Sequence, residues 1–275
     1  MANTLSNALE YAARTDPGLV RRKNEDSYFA APGHGLFILA DGMGGYDAGE
    51  VASQMATSLL SSKLQGIFQL HPEYAVDYKD EQSFLQRTLI ENIVLINSAI
   101  YDASDHDSPF FGMGTTLLAT IFCDDHVLTG HVGDSRFYRL RNDQLTQLTH
   151  DHSLVQERLD HGLISPEAAR YADYRNLLTR AIGIDRHVEP ELHVHQTELD
   201  DVYLLCSDGL YDMVEETELR QTLLTHTGNL AGAAETLVEL ANEYGGEDNI
   251  SVLVVKVVQK FPAPPRAWSK LCAWF

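Results

Sequence analysis

Acidic residues recur in this sequence where apolar runs stop. LFILAD followed by GMGG puts Asp41 at the end of one run, and HVGDSR puts Asp134 after another. VYLLCSD followed by GLYD places Asp208 after a third, with Asp212 four residues on, and GGEDNISVLVV sets Asp248 just before a fourth. Singly, an Asp-Gly pair at a strand end is a turn. Four strands that each carry a carboxylate at one terminus are a set that can converge. Converging carboxylates repel one another and require cations, and with neither Cys nor paired His among them the donors are all oxygen. That donor set selects hard metals, Mg²⁺ or Mn²⁺. Two such ions a few ångströms apart can share a water, lower its pKa and aim the hydroxide at phosphorus, in line with the leaving alkoxide. The result is hydrolysis without a protein nucleophile. The glycines after Asp41 and Asp208 let backbone approach an ion closely, so Gly42 offers a carbonyl ligand.

A second cluster, GLVRRKNEDSYF, sets Arg21, Arg22 and Lys23 directly before Glu25 and Asp26. Such a run is either a solvated turn or a place where one arginine grips a phosphate bidentately while the acids hold metal waters. The residue types alone leave both open. Asp41 and Asp208 lack the Asp-x-Asp of an aspartyl-phosphate enzyme, Ser135 and Ser207 lack the GxSxG elbow, and no GxxxxGK[ST] loop occurs.

The elements that must position these residues follow from periodicity. Apolar, β-branched runs at 36–40, 115–122, 127–132, 202–206 and 250–258 read as buried strands, and 49–64, 82–101 and 230–244 carry helical spacing. One strand, two helices, several strands in succession, a helix and a last strand do not alternate as a doubly wound sheet does, so an α+β sandwich is expected. Residues 151–183 interrupt the strands with helical pieces, one starting at Ser165 with Pro166 in its first turn, and read as a flap inserted over one end of the sheets. Residues 1–260 are expected to form a single domain. Residues 261–275 follow as a Pro-rich FPAPP linker and a short tail, with Trp268, Leu271, Cys272 and Phe275 on one helical face, expected to pack on the domain's own surface or fray rather than to dock on a partner or membrane.

The totals narrow the function classes. Among 275 residues, 40 Asp and Glu face 20 Lys and Arg, a formal charge of −20 that repels nucleic acid. A chain so acidic that acts on phosphate must neutralise its own field locally, as bound divalent cations do. Cys123, Cys206 and Cys272 are odd in number and lack CxxC spacing, which suits a reducing compartment. Without a basic start followed by an apolar stretch, or a run of 18 apolar residues, the chain is expected to be neither secreted nor membrane-spanning but cytoplasmic, and monomeric.

The series from Asp16 and Gly18 through VRRKNEDS, ADGMGG, GMGTTL, VGDSRFYRL, LLCSDGLYD and EDNISVLVV resembles, in order and spacing, the bacterial branch of the type 2C (PPM) metal-dependent protein serine/threonine phosphatases, over about residues 11–258. The resemblance implies an α-β-β-α sandwich of two antiparallel sheets flanked by helix pairs, with two Mn²⁺ or Mg²⁺ ions at one end. It implies that Asp41 bridges the ions, that Gly42 gives a carbonyl, that Asp208 and Asp248 are the other direct ligands, and that Glu25 and Asp26 act through waters. Arg21 matches the phosphate-holding arginine, and Asp134 and Asp212, with Asp208, match the ligands of a third ion. Phosphoproteins are the implied substrates and a Ser/Thr kinase the implied opposing partner.

One departure stands out. Many eukaryotic members read DGHGG, whose histidine is a proposed general acid, whereas this chain has Met43, and a thioether donates no proton. A metal-bound water, or a flap residue such as His161, is left for that role; His152 and His161 otherwise read as ordinary surface residues. Two rivals accompany the phosphatase reading: a catalytically silent relative that binds phosphoproteins, and a phosphatase of a small phosphoester.

Overall fold

The computed structural model describes residues 7–45, 47–70, 84–104, 110–123, 125–169 and 172–259. The strands are β1 Leu9–Asp16, β2 Asp26–Ala31, β3 Leu36–Met43, β4 Gly114–Thr115, β5 Leu117–Cys123, β6 His126–Val132, β7 Arg136–Arg141, β8 Gln144–Gln147, β9 Glu191–Gln196, β10 Val202–Cys206 and β11 Ile250–Val257. The helices are α1 Ala48–Leu70, α2 Phe84–Ala103, α3 Leu154–Asp160, α4 Pro166–Ala169, α5 Asp208–Tyr211, α6 Glu216–Thr225 and α7 Leu230–Glu243. The proposed tail, with Trp268, Leu271, Cys272 and Phe275, lies outside the described residues, as does the start of the helix expected from residue 82.

Two antiparallel sheets form the centre, ordered β1-β11-β10-β7-β8 and β2-β3-β5-β6-β9, with β4 paired to the end of β3. Alternation along each strand explains why the apolar runs are unbroken. In β3, Leu36, Ile38 and Ala40 pack against α1 and α2, while Phe37 and Leu39 face the other sheet. In β10, Leu204 and Cys206 turn toward α5, α6 and α7, while Tyr203 and Leu205 face inward. Both faces are covered, so both parities must be apolar. Each such side chain, fully buried, contributes about 1.5–3 kcal/mol. The inner layer is knitted by rings: Phe37 meets Phe122 at 5.8 Å edge-on, Phe122 meets Tyr203 at 5.2 Å, and Phe137 stacks on Tyr203 at 5.3 Å. The result is the expected four-layer α-β-β-α sandwich.

Tight connections hold the registers. Asn142 and Asp143 both take positive φ, 49° and 61°, the geometry of a two-residue hairpin between β7 and β8. In the segment 151–183, Ser153 caps α3 by accepting from Gln156 N at 3.3 Å, and α4 begins at Pro166, one residue after the expected start at Ser165, whose Oγ accepts from Ala168 N at 3.2 Å. The segment is tied to the sandwich by His152 N donating to Gly133 O, 3.0 Å, and by the Thr115–Ile182 bridge. Among the described residues no helix is long and apolar enough to cross a membrane.

Candidate functional site

Antiparallel pairing gathers the scattered acids, because the first residue of one strand then lies beside the last of its neighbour. Asp26 opens β2 and is the direct partner of Asp41 near the end of β3. Asp208 opens α5 just after β10, Asp248 stands just before β11, and Cys206 faces Val252 across those two strands. Asp134 sits in the turn between β6 and β7, where Arg136 faces Cys206. Arg21, Glu25, Asp41, Asp134, Asp208 and Asp248 thereby line one cleft of about 180 Å³, with Gly42 and Met43 in its wall. Asp26 does not line it but is held just beside it, accepting from Ser207 Oγ at 2.8 Å. Asp212 lines an adjoining recess with Arg21, Asp208 and Asp248.

Close packing of backbone makes glycine necessary at two of these positions. A Cβ on Gly42 would overlap the Gly49 carbonyl, and one on Gly209 would overlap the Asn249 carbonyl. Gly42 N also donates to Glu25 O at 3.1 Å, joining the two acidic segments directly.

The electrostatics are those of a site built for cations. Desolvation, reinforced by neighbouring carboxylates, pushes Asp26 and Asp208 up to about 7 and Asp41 and Asp134 well above the ordinary carboxylate range. Burial also raises Glu25 and Asp212. Asp26 Oδ1 and Asp208 Oδ1 are buried and have no hydrogen-bond partner. Unspent oxygen lone pairs among mutually repelling carboxylates fit hard divalent cations. Arg21, half-exposed, donates through Nη2 to Asp248 Oδ2 at 2.7 Å and lines both recesses.

Several contributors escape sequence reasoning. Asn249 accepts from Glu25 N at 2.7 Å and donates to Pro17 O at 3.0 Å and Lys23 O at 2.8 Å, pinning the loop that carries Arg21. Thr116 Oγ1 accepts from Asp41 N at 2.9 Å and shares a 2.7 Å bond with Ser135 Oγ. Arg136 grips Asp151 with Nε and Nη2 at 3.0 and 2.7 Å and lies 3.6 Å above the Tyr211 ring, whose hydroxyl donates to Asp134 O at 3.1 Å. From the segment 151–183, Asn176 and Leu178 line the cleft, and Arg175 pairs with Asp212 at 3.3 Å. Of these, Asn249, Thr116, Ser135, Arg136 and Tyr211 fall in motifs the sequence displays, which do not announce these contacts.

One histidine expectation changes, for His152, and the surface reading of His161 stands. His152 is not a surface residue: its side chain is 4% exposed, its Nδ1 accepts from Gly133 N at 3.2 Å and its ring stacks on His131 at 4.7 Å. His161 is exposed, ends α3 with its Nδ1 on Glu157 O at 2.7 Å, and does not line the cleft.

The sequence pattern of the family described as Protein phosphatase 2C matches residues 21–243. The chain is 42% identical over 246 residues to the serine/threonine phosphatase stp of Listeria monocytogenes, covering 88% of this chain and 94% of that one. It is similar in structure to the Mycobacterium tuberculosis serine/threonine phosphatase PstP/Ppp, with a TM-score of 0.79, 39% identity and coverage of 91% and 99%. A catalytic domain of PstP solved in complex with two manganese ions is similar at a TM-score of 0.76 and 40% identity, with the same coverage.

Proposed function

The chain belongs to the protein phosphatase 2C family, and from that premise we propose that its acidic cleft hydrolyses phosphoserine and phosphothreonine in proteins with two Mn²⁺ or Mg²⁺ ions. Asp41, shared between the two ions, Asp208, Asp248 and the Gly42 carbonyl would hold them directly, and Glu25 and Asp26 would hold them through water. Asp134 and Asp212, with Asp208, would hold a third ion. The observation that carries this reading is the convergence of carboxylates with orphaned oxygens, Asp26 Oδ1 and Asp208 Oδ1, beside a half-exposed arginine.

When bound, the ions supply an activated water nucleophile and offset the charge of the phosphoryl group. The chain's own residues do the rest. Arg21 presents a planar fork to the phosphate oxygens, and its bond to Asp248 fixes the angle of that fork. Thr116 and Thr115 hold Asp41 through its N–H and its carbonyl. Among the described residues no histidine lines the cleft, and Met43 carries no proton to give, so the leaving alkoxide takes its proton from water.

Every donor the family pattern requires is present, which weighs against a silent relative. An opposing Ser/Thr kinase, a monomeric state, a cytoplasmic location, a single domain over 1–260 and a flap over about 151–183 belong to the same proposal. The buried Cys123 and Cys206, neither of them in a disulfide, agree with the location.

The test is phosphate release from a phosphothreonine peptide in Mn²⁺, Mg²⁺ or EDTA, comparing wild type with Asp208→Asn. Metal should switch release on, and the substitution should abolish it in a folded protein. A metal-loaded wild type that releases nothing from the peptide but cleaves small phosphoesters would transfer the activity to the small-molecule rival; silence on both would leave the binding role.

A further inference from the structure

Apart from the acidic cleft, the described residues hold one more group of candidate metal-binding side chains, and its chemistry is different. His131 on β6 is the direct partner of Glu191 on β9, and His152, at the start of the segment 151–183, stacks on His131 with the rings 18° from parallel. Each of the three offers a ligand atom within 4.8 Å of those of the other two. His131 Nε2 donates to the His150 carbonyl at 2.9 Å, which fixes the tautomer and leaves Nδ1 as the ring's lone pair. That Nδ1 is buried in a residue 1% exposed and has no hydrogen-bond partner. An imidazole anchored through one nitrogen to a backbone carbonyl, with the other nitrogen unspent, is the usual posture of a metal ligand.

We propose that His131, His152 and Glu191 form a second metal site, selective for a borderline divalent cation such as Zn²⁺, at the base of the segment 151–183. Two imidazoles and one carboxylate suit Zn²⁺, whereas the all-oxygen cleft suits Mn²⁺ or Mg²⁺. Burial keeps both rings neutral near neutral pH, His152 being pushed down to about 4. Glu191, although burial pushes it upward, is held below the usual range by its bonds from His193 at 2.6 Å and His152 at 3.2 Å, so it enters as a carboxylate. The nearby charge of Arg180 opposes a cation here, and Glu191 offsets it.

Binding has two structural costs: the stacked rings of His131 and His152, 18° from parallel, must turn so that their in-plane lone pairs meet at the ion, and a proton must move on His152. Gly133 N–H can only donate, so His152 Nδ1 is an acceptor and Nε2 carries the proton toward Glu191. For Nε2 to bind the ion, that proton moves to Nδ1, where it meets the Gly133 N–H, and the bond between them breaks. Gly133 directly precedes Asp134. An ion at this site therefore disturbs the turn that presents Asp134 to the acidic cleft.

The experiment uses the full chain, stripped of metal, refilled with excess Mg²⁺ to occupy the oxygen site, and titrated with Co²⁺ under visible absorption. A four-coordinate nitrogen and oxygen site absorbs far more strongly than an octahedral oxygen one. One equivalent should give an intense band that Zn²⁺ abolishes, that His131→Asn and Glu191→Gln remove, and that Asp208→Asn retains. Glu191→Gln keeps a hydrogen-bond acceptor at a half-buried position, so it reports even where the His131 variant folds poorly. No intense band, a band that survives Glu191→Gln, or one lost in Asp208→Asn would overturn the site.

Discussion

At the scale of single residues, Arg21 is the group whose chemistry is least replaceable by charge alone. Its Nη2 bond to Asp248 orients a rigid fork over the cleft, and a lysine offers a point charge on a flexible stem instead. Charge-assisted bonds of this kind are worth roughly 1.5–3 kcal/mol, or about ten- to a hundredfold in an equilibrium or rate ratio. Arg21→Lys should therefore lower kcat/KM for a phosphothreonine peptide about tenfold or more, with metal binding by calorimetry unchanged; equal kcat/KM would remove Arg21 from phosphate contact. The acids of the cleft were legible because a carboxylate at the end of an apolar run is conspicuous. His152 was not, since nothing in THDHS distinguishes a buried ring from a solvated one. Its burial follows from Gly133 and His131, neighbours in space that the local sequence does not announce.

At the scale of elements, the cleft depends on loops that are pinned by distant side chains. Asn249, 5% exposed, closes three bonds to the loop 17–25, and one of them reaches Glu25 across 224 residues. Asn249→Ala leaves Glu25 N–H and two carbonyls without those partners, and a buried unsatisfied group costs about 1–3 kcal/mol. Denaturant midpoints should show a loss of that order, together with weaker phosphate release, because Arg21 and Glu25 are both carried by the loosened loop. Unchanged stability would mean that water replaces the amide fully. The same reach explains what the sequence concealed. β3, β5, β10 and β11 announce themselves because both their faces are covered, whereas β1, LEYAARTD, and β9, ELHVHQ, lie at sheet edges with mixed patterns that name no face. The helix α6, with polar residues through most of ETELRQTLLT, buries only Leu219, Thr222 and Leu223 and gives too narrow a stripe to be seen.

At the scale of the whole molecule, the fold is held partly against its own charge. The chain carries −20 in formal charge and concentrates its most desolvated carboxylates at one end of the sandwich. In the metal-free protein Asp26 and Asp208 titrate at about 7, above the ordinary 3.8 of an unfolded chain. Between those values the folded state keeps protons that the unfolded state has released, so its stability is fullest below about 3.8 on this account and declines as pH rises through about 7. Asp41 and Asp134, raised well above the ordinary carboxylate range by burial and by neighbouring carboxylates, act in the same direction. Cations that bind only the folded, ionised cluster act in the opposite direction, and their stabilisation grows as the protons leave. Thermal melts in EDTA should accordingly give a Tm that falls from pH 6 to pH 8.5, and melts in excess Mn²⁺ a Tm that holds level or rises over the same span. Asp208→Asn, which removes one of the repelling charges, should raise the Tm in EDTA at pH 8 while shrinking the gain from Mn²⁺. A Tm in EDTA that does not fall with pH would mean that the cluster is solvated well enough to ionise without cations, and the electrostatic case for a metal centre would then rest on the orphaned oxygens alone.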